Sequence, residues 1–291
     1  MTMRRSLVTI TLILAPLPLP AQQATVWDSV GRVLQASPTR VGGYVRYNLP
    51  RLDLTLRMGD VAVSSRLALG AWAGFVGTSR AAVAMGDLVV TEAELLRVEA
   101  AIDSEHLAIT SVHNHLVGES PRIMYVHFHG EGPAVDLARR LDRVLARTTT
   151  PRGVTAAASA PVTIDTALVF GTLKLHGTAS GNVAQASAVL VAAPVTLHGQ
   201  VLPSALAAGS PVNVQAVSPD RFVATGDFAV TGDRVAPLTG ALASRGITVT
   251  SVHNHLIGEA PALYYVHFWA DGPPADVLAG LAVAIDSARS P

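Results

Sequence analysis

The segment TSVHNHLVGESP occupies Thr110–Pro121, and TSVHNHLIGEAP occupies Thr250–Pro261. Ten of these twelve positions are identical, and the two copies lie 140 residues apart. The same offset holds without a gap from residue 86 to about residue 147, and it relates the pair Gly86-Asp87 to a second Gly-Asp pair downstream. A fixed offset of this kind indicates internal duplication. The sequence therefore predicts two copies of one structural unit.

Within each copy, the residue patterns predict strand, helix, strand, strand and helix in that order. In the first copy, Thr91 and Glu94 form a capping box that opens a helix, and Pro133 at an N1-like position opens the last helix. This order predicts an α+β fold, with an antiparallel sheet and helices on one face. We expect a first repeat domain at 25–147, a linker at 148–166 and a second repeat domain at 167–291.

The N-terminal segment places two arginines before an apolar run that ends in a Pro-rich stretch, which predicts a cleavable signal peptide at 1–21. We therefore expect export to the periplasm or the extracellular space, with no stable membrane span. Removal of Arg4 and Arg5 leaves 19 basic residues (21 minus two) against 21 acidic ones, so the charge argues against nucleic-acid binding. The chain contains no Cys, so a bound metal must have nitrogen and oxygen ligands.

Histidines recur along the two β-rich runs that follow the predicted helix. If these runs form a hairpin centred on Pro121, paired residue numbers sum to 242, so His113 faces His129 and His115 faces His127. Side chains alternate along a strand, so all four imidazoles then share one face. The same pattern places an apolar row on the other face, towards the helices.

A metal explains this histidine face better than packing does, because clustered imidazoles gain little from one another. His113-x-His115 offers two nitrogen ligands, and Glu119 in the turn offers a carboxylate. The expected ion is a divalent transition metal, namely Zn, Mn, Fe or Cu. The candidate ligands are His113, His115, Glu119, His127, His129, His253, His255, Glu259 and His267. Trp269 stands where the first copy has His129, so the first site is expected to be the more complete.

Two readings without metal remain open: a polar interface of histidines between the units, and a pocket for a small polar ligand. Asp87 and Asp227 follow Gly, which favours a role in a turn or at a strand end. Glu131 and Asp271 are expected to cap the last helix of each unit, and His176 and His198 are expected to be incidental. The His-Asn-His tripeptide of nucleases and the first cupin motif both match too little of their surroundings to be retained.

The chain resembles the LppY/LpqO family, also called the DUF1259 family, of exported bacterial proteins without an established function. The resemblance rests on GDLVVTE…ITSVHNHLVGESPRIMYVHFHGEGP, on its second copy GDFAVTG…VTSVHNHLIGEAPALYYVHFWADGP, and on GAWAGF around Trp72. It extends from about Val41 to the C-terminus. It implies a duplicated domain and export, and it implies no reaction. Because this chain contains no Cys, the resemblance does not imply anchoring through a lipid-modified Cys.

Two functional hypotheses follow from these residues. The first is binding of a metal or a small polar ligand by the His-rich hairpins. The alternative is a metal-dependent hydrolase, with Glu119 as ligand or general base for a metal-bound water. An open coordination position beside Tyr125 and Arg122 would favour the hydrolase, and a closed shell would favour binding. The sequence does not determine the oligomeric state.

Overall fold

The computed structural model describes residues 25–153 and 160–289. The expected signal peptide at 1–21 lies outside these ranges. The elements of the first half are α1 (Val26–Leu34), β1 (Pro38–Val41), β2 (Tyr44–Asn48), β3 (Leu56–Met58), β4 (Val61–Val63), α2 (Ser65–Ala68), β5 (Trp72–Gly77), β6 (Ala82–Thr91), α3 (Glu92–Ser104), β7 (Ala108–His113), β8 (Glu119–Ser120), β9 (Ile123–Gly132) and α4 (Ala134–Leu145). The elements of the second half are α5 (Thr166–Leu173), β10 (Gly177–Ser180), β11 (Val183–Val189), β12 (Thr196–Leu197), β13 (Gln200–Val201), α6 (Ser204–Ala207), β14 (Gly209–Ser218), β15 (Arg221–Thr231), α7 (Gly232–Ser244), β16 (Thr248–His253), β17 (Glu259–Ala260), β18 (Leu263–Gly272) and α8 (Pro274–Ala288).

The two halves have the same topology. Each contains a six-stranded antiparallel sheet, with strand order β1-β2-β5-β6-β9-β7 in the first half and β10-β11-β14-β15-β18-β16 in the second. Each half also contributes a small three-stranded sheet, β4-β3-β8 and β13-β12-β17. The predicted tandem duplication of an α+β unit is therefore confirmed, with three further strands at one side of each large sheet.

The helices begin where the sequence signals predict. Thr91 is the N-cap of α3, and the predicted capping box with Glu94 is present. Pro133 is the N-cap of α4, one position before the predicted N1, because its ψ of 129° is extended. Leu137, Leu141 and Val144 recur at helical spacing on the buried face of α4.

Each large sheet is covered on both faces. The α3 and α4 side packs into a cluster that includes Val98, Val126, Phe128 and Leu141. The opposite side faces the other half, and a separate apolar cluster there combines residues of both halves, such as Met85 and Leu206. The central strand β6 is accordingly buried on both faces. Among the described residues, no helix is both long enough and apolar enough to span a membrane.

The predicted hairpin register is wrong by four residues. His113 pairs with Tyr125 and Ser111 pairs with His127, while a bulge between Ile109 and Ser111 sets Ala108 opposite His129. The chain does not turn tightly after β7, because Glu119 and Ser120 leave the hairpin and pair with β3. Since a shift by an even number preserves the face of a strand, His113 and His127 still share one face.

Candidate metal centre

Six histidines from the two halves form one buried cluster. The ring centroids of His113 and His253 are 3.6 Å apart, and those of His115 and His267 are 3.8 Å apart. The counterpart of the His115–His267 pair, with the two halves interchanged, is His255 and His127, and their ring centroids are 4.0 Å apart. Each close pair contains one histidine from each half. The sequence predicted one site per hairpin, whereas the structure brings the two histidine faces together, and both groups of three nearby ligand atoms combine histidines of the two halves.

The repeated Thr and Asn hold each His-x-His loop against the other half. Thr110 Oγ1 donates to the carbonyl oxygen of His255 at 2.7 Å, and Thr250 Oγ1 donates to that of His115 at 2.6 Å. Asn254 Nδ2 also donates to the backbone oxygen of Thr110 at 3.0 Å. The two threonine hydrogen bonds are reciprocal, so the Thr of each copy helps to hold the His-x-His loop of the other.

Two buried tyrosines form the walls of the cluster. The ring of His115 stacks on Tyr125 at a centroid separation of 3.3 Å, and His255 stacks on Tyr265 at the same distance. The Tyr125 hydroxyl donates to the backbone oxygen of Ala68, which fixes the ring in place. His115 and His255 lie beyond the ends of β7 and β16, so this stacking positions them without help from a strand.

Asp87 and Asp227 add two buried carboxylates, for which the sequence favoured a role in a turn or at a strand end. Asp87 lies in the middle of β6, directly opposite His127. Its carboxylate oxygens lie 3.4 Å from His115 Nε2 and 3.7 Å from His127 Nε2. Asp227 lies 3.5 Å from His255 Nε2 and 3.8 Å from the Nε2 of His267.

The glycine before each aspartate has a separate, steric role. A Cβ atom at Gly86 would lie 2.2 Å from the backbone oxygen of Trp72, and one at Gly226 would lie 2.1 Å from that of Pro211. Neighbouring strands therefore approach too closely for any side chain. The interpretation of Gly-Asp as a turn or strand end is corrected, since the pair lies inside a strand in both halves.

Burial favours the neutral form of five imidazoles of this cluster by lowering the pKa of each: His113, His115, His127, His253 and His267. It lowers the pKa of His113 to about 4 and lowers the pKa of His253, with further lowering of the latter by neighbouring histidines. Burial also raises the pKa of Asp87 to about 7, against the opposing influence of His113 and His255. Neutral imidazoles carry the lone pairs that a metal ion needs.

Two groups of three ligand atoms lie close enough to surround one ion. The first consists of His113, His115 and His267, the second of His113, His127 and His253, and the atoms of each group lie within 4.8 Å of one another. His267 Nδ1 lies 2.8 Å from the backbone oxygen of Gly226. In the tautomer that donates this hydrogen bond, the Nε2 lone pair points into the cluster, which is the usual arrangement of a metal-binding histidine.

Several polar atoms of the cluster are buried without a partner. In the described part of the chain, these atoms include Asp87 Oδ1, Asp227 Oδ1 and the Nε2 atoms of His115, His255 and His267. Buried polar groups are ordinarily satisfied, so a concentration of unsatisfied ligand atoms indicates that a further group belongs among them.

The remaining predicted ligands lie elsewhere. Glu119 Oε1 accepts from the backbone N–H of Ile123 at 3.3 Å, and Glu259 Oε1 accepts from that of Leu263 at 3.0 Å. Neither glutamate belongs to the two three-histidine groups found in the described chain. Both glutamates lie in short strands, β8 and β17, which pair with β3 and β12 and not with the strands that carry the histidines.

His129 also stands apart from the cluster. Its Nε2 lies 3.5 Å from Glu131 Oε1, near His198. We expected a complete first site and a poorer second one because Trp269 replaces His129. This difference lies outside the cluster, to which each half contributes three histidines.

Tyr125 and Arg122, which the sequence placed beside a possible open coordination position, lie in different surroundings. Tyr125 is 1% exposed. Arg122 is about half exposed and lies 3.8 Å from Glu92 on the other side of the loop. Sequence reasoning also missed Asp87 and Asp227, although a charged residue inside an otherwise apolar strand, repeated at the same offset, was an available signal.

The comparisons with known proteins identify a family. The profile of the Domain of Unknown Function (DUF1259) matches the chain twice, over residues 28–147 and 168–287. No curated protein shows significant similarity to the chain. Among solved structures, EtuB from Clostridium kluyveri is 10% identical, with 87% of this chain and 90% of that chain covered and a TM-score of 0.21.

A second solved structure, the fused permuted hexameric shell protein MSM0275 from the RMM microcompartment, is 16% identical. The match covers 72% of this chain and 86% of that chain, with a TM-score of 0.18. TM-scores this low carry no argument about fold or function. The family profile, in contrast, covers most of both halves, and on this ground the chain belongs to the DUF1259 family.

Proposed function

We propose that this protein is exported and binds a divalent transition-metal ion at the centre shared by its two halves, for sequestration or sensing. The observation that carries the proposal is the convergence of six imidazoles and two buried carboxylates, several of whose ligand atoms are buried without a partner in the described structure. Export rests on the N-terminal signal in the sequence.

The chemistry of the donor atoms supports a transition metal. Imidazole nitrogens suit Zn, Cu and Fe, and carboxylates extend the range to Mn. The three-histidine groups around His113 would supply the nitrogen ligands. Asp87 and Asp227 lie within 3.4–3.8 Å of ligand nitrogens, so they could complete the shell or orient the imidazoles through hydrogen bonds.

Binding is favoured over hydrolysis by what surrounds the histidines. His127 and His267 are each 1% exposed, and Tyr125 is engaged with a backbone carbonyl. Glu119, the candidate general base, accepts a backbone hydrogen bond through Oε1 while its Oε2 is buried without a partner, and neither three-histidine group of the described chain includes it. A water activated by the metal would therefore need a separate acid or base and a route for substrate into a closed cluster.

The test is the metal content of the tag-free mature protein after equilibration with Zn²⁺ and removal of free ion. We expect the wild type to retain at least one equivalent and His113→Ala to retain little, since this residue belongs to both groups. His115→Ala and His267→Ala should each lose metal, and the double variant should lose no more than either single one, because both side chains belong to one group. The matched control is His176→Ala, because His176 is an exposed histidine in the loop before β10.

Two results would count against the proposal. Near-zero metal in wild type and all variants would leave the histidines as an interface without metal. Additive losses in the His115/His267 pair would mean that each half binds its own ion, so the shared centre would be wrong.

A further inference from the structure

The two three-histidine groups of the centre cannot both surround the same ion. The first group contains His115 and His267, and the second contains His127 and His253. In the described structure, no set of ligand atoms within 4.8 Å of one another joins one of these pairs to the other, and His113 alone belongs to both groups. A single ion therefore leaves one pair of imidazoles unbound, whichever group it occupies.

We propose that the centre holds two transition-metal ions, one in each three-histidine group, and that both ions share His113 as a ligand. This inference rests on the metal binding proposed above. It adds the number of ions and the bridge between them, neither of which follows from the presence of a metal alone.

Unpartnered nitrogens occur in both groups. The Nε2 atoms of His115 and His267 are buried without a hydrogen-bond partner in the described chain, and so are both ring nitrogens of His253. An ion in the first group would satisfy His115 and His267 and leave His253 unsatisfied. An ion in the second group would do the reverse. Since buried polar groups are ordinarily satisfied, the distribution of these nitrogens indicates two ions.

His113 can serve two ions because its ring has two nitrogens. Its Nε2 lies 2.9 Å from the Nε2 of His127, a ligand of the second group. Its Nδ1 makes only a long contact of 3.3 Å with the backbone oxygen of Asn114, which leaves this nitrogen for the first group. On binding both ions, the ring releases its remaining N–H proton to solvent and becomes a bridging imidazolate. Ions about 2.0 Å from each nitrogen would lie roughly 6 Å apart.

Buried carboxylates offset the charge that a second ion brings. Asp87 Oδ2 lies 3.4 Å from the Nε2 of His115 in the first group, and Asp87 Oδ1 lies 3.7 Å from the Nε2 of His127 in the second. One oxygen of the same carboxylate thus faces each group. Asp227 lies 3.8 Å from the Nε2 of His267. Anionic groups beside two neighbouring dications reduce the repulsion between them.

The experiment is to load the tag-free, metal-depleted mature protein with Cu²⁺, to remove weakly bound ion, and to measure copper content and electron paramagnetic resonance. His113→Ala damages both groups, so its copper content gives the background from surface histidines. Above this background, we expect about two Cu²⁺ per wild-type chain. Their resonance signal should fall well below that of two isolated ions, because a bridging imidazolate couples the two spins.

Two single variants separate the groups. His115→Ala removes a ligand of the first group only, and His253→Ala removes a ligand of the second only. Each variant should keep about one Cu²⁺ per chain, with the full signal of an isolated ion. His176→Ala is the matched control and should behave like wild type, because His176 is exposed and lies outside both groups. Circular dichroism establishes that the variants are folded.

The outcomes separate this inference from the proposed function. A single Cu²⁺ per wild-type chain above background would overturn the second ion and leave metal binding by the centre intact. Two ions with the full signal of isolated Cu²⁺ would overturn the bridge through His113. Wild-type copper equal to the background would contradict metal binding itself, and the inference would fall with it.

Discussion

At the scale of single residues, the centre depends on imidazoles that stay neutral. His113 and His253 stack at 3.6 Å, a separation that two charged rings would not tolerate. Burial is the first cause of the lowered pKa of His113, His115, His127, His253 and His267. The cluster is therefore compatible with folding at neutral pH and poised to accept a cation.

This arrangement predicts that the metal-free protein is destabilised by acid. His113 has a folded pKa of about 4 and an ordinary value of 6.5, so between these values the unfolded state binds more protons. Stability from this group is present above 6.5 and is lost as pH falls towards 4. The four other histidines shift in the same direction. Chemical denaturation in the presence of a chelator, repeated at pH 7.5, 6, 5 and 4, should show a falling free energy of unfolding.

Asp87 provides an internal control because it acts in the opposite direction. Its pKa is raised from 3.8 to about 7, so its contribution weakens the fold as pH rises through this range. Asp87→Asn removes this opposing contribution and should make the loss of stability in acid steeper. A free energy of unfolding that is flat from pH 7.5 to 4 in both proteins would contradict this account.

At the scale of elements, the start of α3 depends on a buried arginine as well as on its capping box. Arg51 is fully buried and donates to Glu94 at 2.7 Å and to the backbone oxygen of Val89 at 2.9 Å. It also pairs with Asp53 at 2.8 Å. The capping box was predicted from sequence, whereas this ion pair was not, because 43 residues separate its partners.

Removing the guanidinium should be strongly destabilising. Arg51→Met removes the guanidinium closest to the buried Glu94 carboxylate and leaves Arg97, at 3.8 Å, as its basic neighbour, so we expect a loss of about 3 kcal/mol in the free energy of unfolding. The double variant Arg51→Met/Glu94→Gln removes the uncompensated charge and should recover part of this loss. Denaturant titration measures both values. A loss below about 1 kcal/mol in the single variant would mean that Arg51 is dispensable.

At the scale of the whole molecule, the two halves are joined at the candidate centre and by hydrogen bonds around it. Asn213 Nδ2 donates to the backbone oxygen of Leu67 at 3.1 Å, and the side-chain amide of Gln215 donates to that of Ala62 at 2.8 Å. An ion held by ligands of both halves would add a further connection, because it binds the assembled state and not the separated one.

Metal should therefore stabilise the entire chain. At a free Zn²⁺ concentration a hundredfold above Kd, the gain is about 2.7 kcal/mol, or about 5–10 °C in Tm for a chain of this size. Differential scanning calorimetry should show this shift for wild type, and His113→Ala/His253→Ala should lose most of it. Ca²⁺, which prefers oxygen ligands, is the control ion. An equal shift in the double variant would place the stabilising ion elsewhere.

Local sequence patterns predicted a large part of this molecule. The duplication, the order of strands and helices, the capping box at Thr91 and the common face of His113 and His127 all follow from short-range periodicity. Periodicity fixes the face of a strand, and an error of four residues in register left that face unchanged.

The tertiary structure decided the rest. The register between β7 and β9 followed from the pairing of Glu119 and Ser120 with β3, which lies about 60 residues earlier in the chain. Asp87 joined the histidines because β6, rather than a turn, lies beside β9. The meeting of the two histidine faces followed from the packing of the halves against each other. Such contacts join residues distant in sequence, and local periodicity carries no information about them.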